Sequence, residues 1–306
     1  MTTVSTERAT AGAVSRFRTG PWLLLVPSIL FMVLLFGWPL VQGVITAFDD
    51  GGRFGLGAWQ RLFGDPYFLR ALRNTLLLIV VVVPVQLVLA VAMSLLAQAR
   101  PRWLSGHFYL WTIPLAVSEL AAGLVWLSVF DSHGYLNSLL VSWGLSDTGV
   151  QWLSYTNTGT MLLAVAVAEV WRATSLVFVI VVAGMQLIPQ DYDEAAQVFG
   201  ASFRQRLWHV TLPQLRPSLQ VALILRTILA LQAFAVAQAL TGRDFPLLVG
   251  ETYQWYVNLQ NPPVASAAAL VVLALSLLTA VLYLRTMRHP DRPDRVRVSR
   301  RTQEAR

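Results

Sequence analysis

The chain has 306 residues, 56% of them hydrophobic and only 13% charged, with a net charge of +7. Soluble domains carry about 25% charged residues, so this composition points to a membrane protein. There is no cysteine, which excludes disulfides and thiolate chemistry. All 23 basic residues are arginine, so the chain has no P-loop lysine for nucleotide phosphates and no Schiff-base amine.

After an N-terminal segment, 1–20, six apolar stretches are long enough to cross a bilayer core of about 30 Å as helices. They are 22–48, 71–97, 108–130, 160–187, 218–240 and 264–284. Backbone groups in lipid need internal partners, which favours helix, and Pro27, Pro39, Pro84 and Pro114 are expected to kink their spans without breaking them. The first stretch is too long for the apolar core of a signal peptide and is read as retained. The connecting segments 49–70, 131–157 and 241–263 hold Trp59, Tyr67, Trp143, Trp152, Tyr155, Tyr253, Trp255 and Tyr256, which suits an interfacial aromatic belt. Sixteen arginines fall on the side of the two termini and the 189–213 loop, five (Arg53, Arg61, Arg70, Arg73, Arg243) on the other, and Arg172 and Arg226 lie inside spans. That asymmetry places both termini and the loop in the cytoplasm. The tail, 287–306, reads as a basic, solvated segment facing lipid headgroups. The expected fold is therefore all-α and polytopic, with six transmembrane helices and one membrane domain, 21–286.

The loop between the fourth and fifth spans, IPQDYDEAAQVFGASFRQRLWHVTLP, carries helix signals on either side of a stop. Asp191 with Glu194 and Ser202 with Gln205 have the spacing of two capping boxes. Gly200 suits the left-handed residue that ends a helix, and Pro213, with Pro217 after it, is expected to close the segment. Two short helices at a fixed elbow are suited to docking. An ordinary amphipathic interfacial pair has the same spacing.

Glu194-Ala195-Ala196, then Gly200-Ala201, then Leu212-Pro213, resemble the EAA loop of ABC importer permeases. PWLLLVPSILFMVLLFGWPL, DPYFLRALRNT, GYLNSLL, EVWRATS, AGMQLIP and ALTG are similar to the sugar-importer branch, of the maltose and glycerol-phosphate type, and the resemblance runs from about Pro21 to Arg285. Two departures stand out. Phe199 replaces the usual Asp before Gly-Ala, and Arg243-Asp244-Phe245-Pro246 replaces the glycine-rich run after ALTG. The resemblance implies that 189–213 is a cytoplasmic coupling loop seated in a cleft of a separate ATPase subunit. There Ala195 and Ala196 would permit close approach, Phe199 and Phe203 would serve as apolar anchors, and Glu194 would face a basic residue. It further implies a second, different permease, two ATP-binding subunits that hold ATP and Mg, an extracytoplasmic solute-binding protein, and no cofactor in this chain. The aromatic outer segments are then also a landing surface for that binding protein.

Glu119, Arg172 and Arg226 each fall near the bilayer midplane, where a charge must be paired or wetted. Two readings stand side by side: an ion-pair set that fixes packing, joining Glu119 or Glu169 to Arg172 or Arg226, and the lining of a translocation path. For a sugar path, Trp126 and Trp171 are candidate stacking surfaces, with Arg172, Gln232 and Gln238 as polar partners. Asn74 and Asn137 are expected to brace helices. The four histidines have no metal-ligand spacing, and no nucleophile–base set supports an enzyme. The function expected is the permease of an ATP-driven importer for a sugar or polyol. The alternatives are a non-sugar solute, and a proton-coupled carrier using Glu119 or Glu169.

Overall fold

Long apolar runs dictate helices, and helices account for nearly all of the ordered structure. The computed structural model describes residues 20–99 and 104–286. Most of the segment 1–20, Arg100, Arg102 and the tail 287–306 thus lie outside the described residues. In chain order the helices are α1 (Gly20–Met32), α2 (Trp38–Ala47), α3 (Gly57–Gly64), α4 (Pro66–Ala99), α5 (Leu104–Thr112), α6 (Glu119–Phe130) and α7 (Tyr135–Ser142). They are followed by α8 (Thr158–Gln186), α9 (Gln190–Val198), α10 (Phe203–Arg206), α11 (Leu212–Leu231), α12 (Ala235–Thr241), α13 (Leu248–Tyr253) and α14 (Pro262–Thr286). Among the described residues the only β pairing is an isolated bridge between Asp49 and Phe54.

Among the described residues four helices are long and apolar enough to cross a membrane: Leu25–Ala47, Pro66–Gln98, Thr158–Gln186 and Pro262–Thr286. Six result if each of two bent pairs is one span: Phe108–Ala116 with Glu119–Ser142, bent by 103°, and Phe203–Leu231 with Ala235–Thr241, bent by 46°. The prolines behave differently from one another. Pro84 lies inside the unbroken α4, and a π-helical stretch, Val33–Gly37, joins α1 to α2 just ahead of Pro39. Pro114, in contrast, breaks its span, contrary to the kink expected there. It sits in a 3₁₀ turn, Ile113–Ala116, after which Val117 is extended and Ser118 caps α6 by accepting from the Ala121 N–H at 3.2 Å. The missing proline N–H and a strong cap four residues on make a restart cheaper than a continuous helix. The carbonyl of Trp111, close to the break, accepts a 2.8 Å bond from Ser175 Oγ of α8, as a backbone group at membrane depth requires.

The chain divides into two compact units, Met1–Asp65 with Thr252–Leu270, and Pro66–Glu251 with Val271–Arg306. In the first, Phe48, Phe54, Trp59 and Phe63 stack in sequence around the turn after α2. In the second, one core joins Leu78 and Val82 of α4, Phe130 of α6, Met161 and Val165 of α8, and Leu240 of α12. Another joins Ala90, Phe178, Val181 and Leu215. Two glycines set helix spacing. A Cβ on Gly123 would lie 2.6 Å from Ala239 Cβ, and one on Gly184 would lie 2.2 Å from Ser218 Oγ.

Asn74 and Asn137 do brace the fold. Asn74 Nδ2 donates to the Pro246 carbonyl at 3.2 Å, and the neighbouring Thr75 Oγ1 accepts from the Leu248 N–H at 3.1 Å. Those two bonds hold the segment around Phe245, which is buried. Asn137 donates to three carbonyls and accepts from the Val150 N–H and Trp152 Nε1, folding the 131–157 segment over itself.

Candidate functional site

The elbow is built from α9, Gly200 and α10. Helix α9 begins at Gln190, with Pro189 in the cap position and no side-chain cap bond. The capping box expected from Asp191 and Glu194 is therefore absent. Starting two residues earlier puts Asp191 inside the first turn, where it and Asp193 instead face the positive end of the helix dipole. The second box is present: Gln205 N–H donates to Ser202 Oγ, and Ser202 N–H donates to Gln205 Oε1 at 2.8 Å. Between them Gly200 has φ +76°, and its N–H and that of Ala201 close the end of α9 onto Gln197 and Ala196. Any other residue would be strained there.

An ion pair unseen in the sequence crosses the elbow. Asp193 of α9 accepts from Arg206 Nη1 of α10 and from Gln197 Nε2. The signal was present only as opposite charges on two separate short helices, with no local spacing to join them. Pro213 does not close the segment, which corrects that expectation. Helix continues unbroken from Phe203 to Leu231. A π-helical stretch, Leu207–Thr211, closed by the Leu212 N–H on the Leu207 carbonyl, widens the turn ahead of Leu212 and Pro213 and accommodates the missing donor. The apolar tips point outward, with Phe199 89% exposed and Phe203 61% exposed. Glu194 and Ala195 are exposed and Ala196 and Ala201 half-buried. A cleft of about 740 Å³ runs between the ends of α4 and α8 and the elbow, lined by Gln98, Gln186, Asp193, Glu194, Phe203 and Arg206 among others.

The second constellation is a run of paired charges between helices. Glu169 of α8 accepts from Arg226 of α11 at 2.8 Å and from Arg172, one turn along its own helix, at 3.3 Å. Arg172 reaches on to Glu119, the first residue of α6, at 2.9 Å. Gln86 of α4 completes the chain, accepting from Arg226 Nε at 2.6 Å and donating to the Glu169 carbonyl at 2.8 Å. The sequence shows the four charges but not their pairing, and it does not single out Gln86. Its one signal was a lone polar residue in the run LLLIVVVVPVQLVLAV. The network ties α4, α6, α8 and α11 together. Burial falls along it: Glu169 and Arg226 are 1% and 2% exposed, Arg172 16% and Glu119 43%.

Trp126 and Trp171 meet edge to face with ring centroids 6.0 Å apart, beside this network, and Trp126 also stacks on Phe130. Three buried N–H groups in the region, Trp126 Nε1, Arg172 Nε and Arg226 Nη1, have no acceptor among the described residues. Gln232 and Gln238 lie at and beyond the α11–α12 break, and neither side chain bonds to this cluster among the described residues. The structure thus brings Glu119, Trp126, Trp171, Arg172 and Arg226 into one neighbourhood, and the two glutamines make no side-chain bond to it among the described residues. Among the described residues no group of three His, Cys, Asp or Glu is placed to hold a metal ion.

The chain is 31% identical over 286 residues to the sulfoquinovosyl glycerol transport system permease protein SmoG of Agrobacterium fabrum, covering 88% of this chain and 90% of that one. It is 30% identical over 277 residues to the sn-glycerol-3-phosphate transport system permease protein UgpA of the same organism, covering 85% and 92%. Its fold is similar to that of a bacterial ABC transporter involved in the import of the acidic polysaccharide alginate, with a TM-score of 0.78 at 19% identity over 87% of this chain and 94% of the other. Residues 67–288 match the family model for the inner membrane component of binding-protein-dependent transport systems. With an exposed elbow and a buried run of paired charges, the chain belongs to the binding-protein-dependent transport system inner membrane component family.

Proposed function

We propose that this chain is one of two non-identical membrane subunits of an ATP-driven importer for a carbohydrate or related polyol, with six spans and with its termini and elbow on the cytoplasmic side. The observation that carries the reading is the elbow, where two aromatic side chains stand exposed on either side of a glycine with positive φ. An apolar ridge of this kind is costly in water and suits the groove of a partner. The partner is an ATPase subunit, present in two copies and holding ATP and Mg, because this chain has no lysine for a P-loop of its own. A solute-binding protein delivers the solute on the opposite face.

The mechanism is one of linkage. Closure of the ATPase dimer on nucleotide moves the elbow, and the two membrane subunits switch from facing inward to facing outward. The work is drawn from the difference in nucleotide affinity between the two states. Glu119, Trp126, Trp171 and Arg172 line the path in this reading, with Arg226 sealed behind them holding Glu169, and Gln232 and Gln238 join it across the α11–α12 break. A proton-coupled carrier is disfavoured, because both carboxylates it would use, Glu119 and Glu169, are tied to guanidiniums.

The test is to extract the tagged chain gently from native membranes and identify what accompanies it. A second permease and a P-loop ATPase are expected, with the ATPase lost on Glu194→Lys or Gly200→Pro while the chain stays in the membrane. A stably folded chain that emerges alone would overturn the reading.

A further inference from the structure

The mid-helix network is electrically balanced, with two carboxylates and two guanidiniums in a single run of ion pairs. The deep end of the run is closed, since Arg226 and Glu169 are sealed in protein and braced by Gln86. Its outer end is open, and the last member is a carboxylate: Glu119 is nearly half exposed, whereas the guanidinium it covers is largely buried. A half-exposed carboxylate at mid-membrane depth is too costly against lipid, so the face that carries it looks onto water or onto protein. Trp171, adjacent to Arg172, is partly exposed in the same neighbourhood and packs on Trp126, which lies two turns beyond Glu119 on α6. That combination offers an aromatic face for the apolar side of a sugar ring. The N–H groups of Trp126 Nε1 and Arg172 Nε have no acceptor within the described protein and suit hydroxyl or water oxygens.

We propose that Glu119 is a specificity residue. It cancels the charge of Arg172 where the network opens, so that the path takes an uncharged carbohydrate or polyol and refuses one that bears a sulfonate, phosphate or carboxylate. An anionic solute needs an uncompensated cation at this depth, and here each guanidinium already has a carboxylate. Removing the Glu119 charge leaves Glu169 to serve two arginines and gives the open end a net positive charge. The inference rests on the importer reading given above and narrows its substrate class.

Two measurements on the assembled complex test it. The first is mass spectrometry of the solute retained by the binding protein isolated with the complex. A neutral sugar or polyol is expected, and a sulfonated, phosphorylated or carboxylated solute overturns the inference while leaving the importer reading intact. The second is quenching of the Trp171 fluorescence, isolated by difference from Trp171→Phe, with acrylamide as neutral probe, iodide as anion and caesium as cation. In the unaltered complex acrylamide quenches, and iodide has no advantage over caesium. In Glu119→Gln iodide quenching rises about threefold or more with acrylamide unchanged, because a net positive site concentrates anions. Glu119→Asp keeps the original ratio, and Glu119→Gln combined with Arg172→Gln restores it. If Glu119→Gln does not assemble, Glu119→Asp against Arg172→Gln reads the same balance, with caesium gaining in the latter. Iodide quenching that ignores residue 119, or a Trp171 that acrylamide cannot reach, overturns the proposal. Failure of the complex to form with an ATPase would instead strike at the importer reading.

Discussion

Glu169 is a single carboxylate serving two guanidiniums and, through its backbone carbonyl, a glutamine on a third helix. Its worth comes less from attraction than from what its loss would leave behind. Removing one member of a buried pair strands the other charge, at a cost of about 3–5 kcal/mol. Glu169→Ala is therefore expected to lower the thermal midpoint of the purified chain sharply and to reduce the amount recovered from membranes. Glu119→Ala, at the exposed end, should cost far less by the same measurement. Gln86→Leu removes the acceptor of Arg226 Nε without changing the net charge, and should fall between the two. The four charges were legible in the sequence because charge is rare in an apolar run. Gln86 was not, since an uncharged amide can snorkel or pair with backbone, and only the fold shows Arg226 arriving beside it from 140 positions away.

At the scale of elements, part of the elbow is readable: Gly200 as a stop, Ser202 with Gln205 as a box, and a short helix before them, whereas the helix after them runs on through Pro213 to Leu231. The elbow's stiffness is not, because it comes from Asp193 and Arg206 meeting across the turn. Asp193→Ala should leave insertion and partner assembly in place and yet raise the ATP hydrolysed per solute imported, as measured in proteoliposomes. Hydrolysis that stays as tightly coupled as in the unaltered complex would show that the brace is idle. The crossing of α8 and α11 is a second test. A Cβ at Gly184 already collides with Ser218, so Gly184→Leu should force the helices apart and cost about 1–3 kcal/mol or more by overpacking. Gly184→Ala paired with Ser218→Gly, which removes both the Oγ and the Cβ that the added methyl meets, should recover most of that loss in thermal unfolding. In the sequence both bent spans are continuous apolar stretches. One break has a visible cause in Pro114. The other, at Gln232–Phe234, has neither proline nor glycine, and turns on the Gln232 and Ala233 N–H groups falling back onto Leu229 and Ala230. Hydropathy is blind to such a bend, since the residues on both sides are equally apolar.

For the whole chain, composition alone carried most of the class assignment: few charges, long apolar runs, and arginines concentrated toward one side. The α1–α2 stretch Leu25–Ala47 buries none of its apolar window. A stretch of that hydropathy is at home in lipid or against another subunit, and its surface alone does not distinguish the two. Cross-linking from cysteines placed along 25–47, in a chain that has none of its own, should mark a single helical face if a subunit packs there. Labelling spread evenly around the helix would assign the stretch to lipid.

Helix runs without interruption from Phe203, at the tip of the elbow, to Leu231. At 1.5 Å per residue the distance along it from Phe203 to Arg226 is about 35 Å. One rod thus begins in the proposed docking ridge and carries Arg226 near its far end. Tilting it by about 5° at the elbow displaces its far end by roughly 3 Å, about the length of the hydrogen bonds that join Arg226 to Glu169 and Gln86. Arg226 therefore cannot keep both partners unless α4 and α8 travel with it, and those two helices must either swing as a block with the rod or release it.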